Sequence, residues 1–388
     1  MIIRDAIATM TVKAKRAPAI VILGARQVGK TTLAQQFGET RPEGYLYIDF
    51  ESPTDMAKLA DAEAFFALHA DKMVILDEVQ HRPDIFNILR SVIDRNRRNG
   101  RFILLGSASP HLVNGVSESL AGRTSYLELT PITLTELPEN YSLQQHWFRG
   151  GFPTALLAET NADFTDWADG YIRSYAERDL RMLFGYDLNT SIISRLWQMI
   201  AAAQSGLWNA ESYSRALGVT APVVNRYLDF MEGAFLVRKL QPWFTNVQKR
   251  LVKAPKVYVR DSGLTHALNR ISDYDMLLGH PIAGGSWEGY VIEQIMAKAG
   301  DDIKPYFYRT HNGAEADLVL VKGNVPVCCI EIKLTNAPTI SRGFHSSIAD
   351  IGTDKNFIVT PGSDTYPGGK NITVCSLKYF MKNYLREL

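Results

Sequence analysis

The chain has 388 residues, 42 Lys and Arg against 41 Asp and Glu, a formal net charge of +1 and 46% apolar residues. That balance excludes a disordered chain and a histone-like polycation, and the length predicts two or three domains. No apolar run reaches the roughly 20 residues of a membrane helix and the N-terminus lacks a signal peptide's layout. Cys328, Cys329 and Cys375 lack the spaced pairs of a zinc site, so a cytoplasmic protein with reduced thiols and no membrane contact is expected.

In chain order, AIVIL at 19–23 reads as a buried strand, followed by Gly24-Ala25-Arg26-Gln27-Val28-Gly29-Lys30-Thr31-Thr32 and a helical stretch. Residues 24–31 match G-x-x-x-x-G-K-[ST] in the strand, loop and helix context that a phosphate-binding loop requires. Gly24 and Gly29 let successive N–H groups turn toward a phosphate, and Lys30 brings a cation to the β- and γ-phosphates. The Thr31 hydroxyl is suited to ligate Mg²⁺, so ATP and Mg²⁺ are the expected cofactors. MVIL at 73–76 is a second strand ending in Asp77, which is expected to reach the metal, and Glu78, which is expected to orient or deprotonate the attacking water. FILL at 102–105 is a third, leading to Ser107 as a sensor of the γ-phosphate. Unalternating apolar strands predict a parallel sheet covered by helices. Arg123 is expected to neutralise charge on a γ-phosphate, in its own subunit or a neighbour's. Arg95, Arg97, Arg98 and Arg101 form a basic cluster that reads either as a solvated face or as a DNA-facing loop.

Residues 145–200 are expected to be helical. Between 209 and 231, Asn209 as an N-cap, a break at Gly218 and a second helix with a stripe of Val224, Tyr227, Leu228 and Met231 predict a helix-turn-helix. Asn225 and Arg226 are left on the other face. A hairpin follows, with Lys249, Arg250, Lys253, Lys256 and Arg260 as a basic wing suited to DNA phosphates, or else to packing. In the last hundred residues EADLVLV carries Asp317, and VPVCCIEIKL carries Glu331 and Lys333 on one strand face. With Glu288, or Glu293 as its competitor, on a preceding helix, these residues suit a second metal site of nuclease type.

The assembly resembles bacterial and archaeal AAA-type ATPases with a C-terminal domain of unknown function containing a winged helix and a restriction-endonuclease-like module. The resemblance rests on GARQVGKTT, ILDEVQ, GSAS, SLAGR, NRYLDFMEGAFLVRKLQPW, KAPKVYVRDSGL, SWEGYVIEQ, EADLVL and CIEIK. It implies Lys30, Thr31, Asp77 and Glu78 as the ATP site, Arg123 as a trigger residue, and Glu288, Asp317, Glu331 and Lys333 as the PD-(D/E)XK set. The expected fold is α/β: a P-loop NTPase domain of AAA type over 1–140, a helical linker over 141–200, a winged helix over 201–280 and a nuclease-like domain over 281–388. The expected function is an oligomeric ATPase, most simply a hexamer, that translocates on or remodels duplex or branched DNA such as a Holliday junction. The alternatives are an ATP-gated nuclease and an ATP-switched protein-interaction module.

Overall fold

A computed structural model describes residues 2–106, 116, 118–175, 180, 189–244, 251–362 and 364–388. The chain forms two compact units. The first is built on Met1–Ile132; the second holds Thr133–Ala176, Asn189–Glu232 and Leu236–Leu388. The second unit thus holds residues on both sides of 200 and of 280.

In the first unit, β1 (Ala19–Leu23), β2 (Tyr45–Asp49), β3 (Met73–Asp77), β4 (Phe102–Leu105) and β5 (Thr124–Glu128) form one sheet in the order β2-β3-β4-β1-β5. Every neighbouring pair is parallel. Ile20 and Ile22 in β1 are fully buried, and so are all four residues of β4, which explains why these strands read as continuous apolar runs. Burying one such side chain contributes about 2 kcal/mol. The helix Ile85–Arg95 buries Ile85, Phe86, Leu89, Val92 and Ile93, an apolar stripe at helical spacing, in the core that also holds Val74, Leu76, Phe102 and Leu104. The helix Lys30–Glu39 follows β1 across a short loop, so its N-terminus lies at the edge where the parallel strands end.

In the second unit, the strands are β6 (Val237–Pro242), β7 (Lys256–Val259), β8 (Ile303–Arg309), β9 (Glu315–Lys322), β10 (Val325–Ile332), β11 (Asn356–Thr360), β12 (Tyr366–Gly369) and β13 (Ile372–Ser376). They make one mixed sheet in the order β12-β13-β11-β10-β9-β8-β6-β7. β8, β9 and β10 run antiparallel, and β10 pairs parallel with β11. The β6–β7 hairpin joins through β8, where Gln241 pairs Tyr306. The hairpin expected as a wing is thus part of the same sheet. The helices Ala210–Leu217 and Ala221–Gly233 meet at Gly218, with the Asn209 side chain capping the first and Val224, Tyr227, Leu228 and Met231 buried on the second. Among the described residues no helix is long and apolar enough to cross a membrane. All three cysteines are free and buried.

Candidate functional site

The loop after β1 is shaped by two glycines for different reasons. Gly24 has φ of 152°, and a Cβ there would stand 2.4 Å from the carbonyl oxygen of Leu129. Gly29 has φ of 93° and directly precedes the helix Lys30–Glu39. Gln27 also holds a left-handed backbone at φ 61°. Successive N–H groups around this loop and at the helix N-terminus form the cradle that suits a phosphate. Arg4 braces it from outside, its guanidinium donating to the carbonyls of Val28 at 3.1 Å and Thr130 at 2.7 Å.

Lys30 lies beneath the loop, 8% exposed, and its ammonium donates to the carbonyls of Gly24 at 3.1 Å and Ala25 at 2.9 Å. Burial pushes it down to about 8, against the opposing pull of Glu78 and Asp77. The Thr31 hydroxyl donates to Asp77 Oδ2 at 2.6 Å. Tyr47 donates to the same oxygen at 2.9 Å, and the Glu78 amide donates to Oδ1 at 2.9 Å. Burial, then the Asp77 charge, raises the Tyr47 phenol above its ordinary range, so it remains a donor. Glu78 sits in a left-handed conformation at φ 51°, turned away from its neighbour, and its carboxylate accepts from Gln80 Nε2. These residues fit an ATP–Mg²⁺ complex: a glycine cradle, a buried cation, and a hydroxyl paired with a carboxylate.

Sequence reasoning missed Arg4 and Tyr47. Tyr45, Tyr47 and Asp49 alternate along β2, which is the signal for Tyr47; a lone arginine near the N-terminus carries none.

Arg123 is not brought to this loop. Its carbonyl accepts from the Ala19 amide, at the start of β1, whereas the loop follows the end of that strand. Five residues of strand separate the two edges, about 16 Å at 3.3 Å per residue. The guanidinium instead makes two bonds to Asp94, of 2.8 and 2.7 Å. Arg98 and Arg101 hold backbone carbonyls at Asp71 and Phe66, and Arg95 pairs with Glu63, so the basic cluster is committed to this unit's own structure. Ser107 lies outside the described residues, as do Lys249 and Arg250.

In the second unit the structure gathers Glu288 from the helix Ala283–Met296 and Asp317 from β9, with Glu331 one step beyond the Ile330–Leu318 pair of β10 and β9, alongside Asp317. Glu293 does not compete: it is held by Arg238 and by Arg260 at 2.9 Å. Lys256 is a correction to the expected wing. It is 4% exposed, and its ammonium lies 2.9 Å from Glu288, 3.2 Å from Glu315 and 3.6 Å from Asp317. Tyr258 donates to Glu288 at 2.6 Å, and the Ile332 amide donates to Asp317 at 2.8 Å. Lys333 and Ser341 both contact Glu331 Oε1 at 2.9 Å. Burial raises Glu288 above the usual carboxylate range despite the nearby ammonium. Among the described residues no three His, Cys, Asp or Glu side chains are grouped to hold a metal ion. The residues here do not fit a divalent metal as they stand, because the Lys256 ammonium, the Tyr258 hydroxyl and the Ile332 amide already take up oxygens of Glu288 and Asp317.

Asn225 and Arg226 are exposed, with Asn225 Oδ1 accepting from Trp208 Nε1 at 2.8 Å; Lys253 is exposed as well.

Three regions match family models: an AAA domain over residues 16–138, a domain of unknown function (DUF8612) over 140–275, and another (DUF4143) over 283–380. The uncharacterized proteins Rv2008c of Mycobacterium tuberculosis and Mb2031c of Mycobacterium bovis are each 39% identical over 365 residues, covering 94% of this chain and 81% of theirs. In solved structures, the fold is similar to that of the Walker-type ATPase PABY2304 of Pyrococcus abyssi, with a TM-score of 0.50 and 15% identity over 69% of this chain and 96% of that one. With a phosphate-binding loop, a buried lysine and a Thr31–Asp77 pair on a five-stranded parallel sheet, residues 16–138 form an AAA domain of P-loop ATPase type, and the chain belongs to the same family as the mycobacterial proteins Rv2008c and Mb2031c.

Proposed function

We propose that the chain hydrolyses ATP with Mg²⁺ and uses the cycle to act on duplex or branched DNA, working as a homo-oligomer. The observation that carries the hydrolysis is the Thr31–Asp77 contact beside the buried Lys30. In this reading residues 24–32 hold the triphosphate, and Thr31 with Asp77 holds the metal. Bound there, ATP–Mg²⁺ supplies the γ-phosphoryl group that water attacks. Lys30 gives up its loop carbonyls to pair with phosphate oxygens, and Glu78, steered by Gln80, orients the water. Arg123 lies at the opposite edge of the sheet from its own loop, so in this reading it serves a neighbour's nucleotide, leaving Asp94 to do so.

DNA contact is supported by the exposed Asn225 and Arg226 on a helix whose apolar stripe is buried, and by exposed Lys253. The two helices followed by the β6–β7 hairpin support the winged-helix reading. The order helix Ala283–Met296, β8, β9, β10, helix Arg342–Ile351, β11 supports the restriction-endonuclease-like one. A second reading, an ATP-driven switch for a protein partner, is favoured by the internal placement of Lys256 and Arg260, which lowers the charge left for phosphates.

The deciding experiment is steady-state ATP hydrolysis with no DNA, single strand, duplex and four-way junction, with Glu78→Gln as the inactive control. Stimulation by duplex or junction that Arg226→Ala with Lys253→Ala weakens supports the DNA reading. A Glu78-dependent rate that no DNA changes replaces it with the protein-partner reading.

A further inference from the structure

We infer that the acidic cluster of the second unit is closed by a resident cation, the Lys256 ammonium, which takes the place of a divalent metal and leaves the unit without metal-dependent phosphodiester cleavage. Three carboxylates from two elements converge on this one group, at 2.9, 3.2 and 3.6 Å. Each contact restricts a metal in a specific way. Glu288 Oε1 already accepts from both Lys256 and Tyr258, and Asp317 Oδ2 accepts the Ile332 amide. Asp317 Oδ1, the remaining oxygen, faces the ammonium.

The sheet enforces the arrangement. Lys256 opens β7, which lies beyond β6 and β8 at the edge of the sheet, and its side chain passes over the ring of Phe307 in β8, 5.6 Å from the centroid, to reach β9. Its stem is packed rather than solvated, so the ammonium cannot leave for water without losing that packing. Three cations already offset most of the carboxylate charge without a metal. Glu288, Glu315, Asp317 and Glu331 face Lys256, Lys333 and Arg309, the last 3.7 Å from Glu315. Adding a divalent ion beside Lys256 would place two cations within a few ångströms in a poorly solvated site.

One atom is left over. Glu331 is 5% exposed, and its Oε2 has no hydrogen-bond partner. It lies on β10 one residue beyond the Ile330–Leu318 pair, and the next amide, of Ile332, donates to Asp317. Removing the ammonium while keeping the stem's volume therefore leaves Asp317 Oδ1 and Glu288 without their cation beside Glu331 Oε2, whose carboxylate keeps Lys333 on its other oxygen; such oxygens are the hard donors that Mg²⁺ and Mn²⁺ take. The Lys256 ammonium thus fills the space between Glu288, Glu315 and Asp317 that a metal would share.

The test uses the full chain carrying Asp77→Asn, which removes the nucleotide-site metal ligand, titrated with Mn²⁺ alone and read by the loss of the free Mn²⁺ electron paramagnetic resonance signal. The expected result is no bound Mn²⁺ with Lys256 present, and one Mn²⁺ bound at least about tenfold more tightly once Lys256→Met is added, lost again on adding Asp317→Asn. Mn²⁺ bound by the Lys256 chain and released by Asp317→Asn overturns the inference. So does a Lys256→Met chain that folds, by circular dichroism, and binds none. Should Lys256→Met fail to fold, the Lys256 chain with and without Asp317→Asn decides alone. A loss of ATPase activity in the Glu78→Gln protein bears on the P-loop and leaves this result untouched.

Discussion

Thr31 Oγ1 and Asp77 Oδ2 stand 2.6 Å apart although 46 positions separate them in the chain. The contact exists because β3 and β1 are held in one parallel sheet with β4 between them, so that a strand end and a helix start meet at one edge. Tyr47 from β2 completes the arrangement by donating to the same carboxylate oxygen.

Thr31→Ala and Asp77→Asn are each expected to lower ATP hydrolysis by about 100-fold or more, since both remove a group that holds charge on the reacting phosphate. Tyr47→Phe removes one hydrogen bond to a carboxylate that keeps two others. About 1 kcal/mol, or roughly fivefold in rate, is expected. Steady-state rates at saturating ATP check the ranking, and a Tyr47→Phe loss equal to that of Asp77→Asn would contradict it.

Lys30 in the nucleotide-free protein is pushed down to about 8 by burial. A triphosphate favours the ammonium, so above pH 8 binding must take up a proton. ATP affinity is expected to fall about tenfold per pH unit above 8. Calorimetry at pH 8.5 in two buffers of different ionisation enthalpy measures that proton uptake directly, and Lys30→Ala should abolish it.

Glu78 holds a left-handed backbone and a bond from Gln80, neither of which nucleotide binding requires. Glu78→Gln is expected to keep ATP affinity within about threefold while cutting hydrolysis by about 100-fold or more. Gln80→Ala frees the carboxylate and is expected to cost about tenfold in rate. Nucleotide-binding fluorescence alongside turnover separates the two effects.

His266 is fully buried in the second unit, bonded through Nδ1 to the Phe148 carbonyl at 2.7 Å and through Nε2 to Ser286 at 2.6 Å. The carbonyl accepts, so Nδ1 carries the proton and Nε2 accepts from the serine. Burial pushes the imidazole down to about 4. A lowered value means that the neutral form stabilises the fold above pH 6.5, and that this contribution disappears as pH falls through 4. The stability gap between the wild type and His266→Gln is expected to narrow by about 3 kcal/mol between pH 7 and pH 4. All six tryptophans lie in the second unit, so denaturant titrations followed by tryptophan fluorescence report on this unit alone.

What the sequence determined was local. The loop Gly24–Thr31 is legible because each residue's role follows from backbone freedom or side-chain chemistry at a fixed spacing, and the strand before it is an apolar run with no competing pattern. The stripe Val224, Tyr227, Leu228 and Met231 was legible for the same reason, since helical spacing alone sets which residues share a face. Tertiary structure decided which distant groups meet. Nothing near Lys256 in the chain distinguishes it from a surface lysine: a run of basic residues without acids reads as solvated until the sheet turns one of them toward carboxylates from β9 and a helix. Arg123 shows the same limit from the other side. Its neighbours in sequence mark a strand start, but only the parallel register of β5 on β1 shows that it lies at the edge away from its own phosphate loop. Periodicity and motif spacing act over a turn of helix or a length of strand, whereas sheet order is set by the burial of whole faces, and that is where these two residues received their positions.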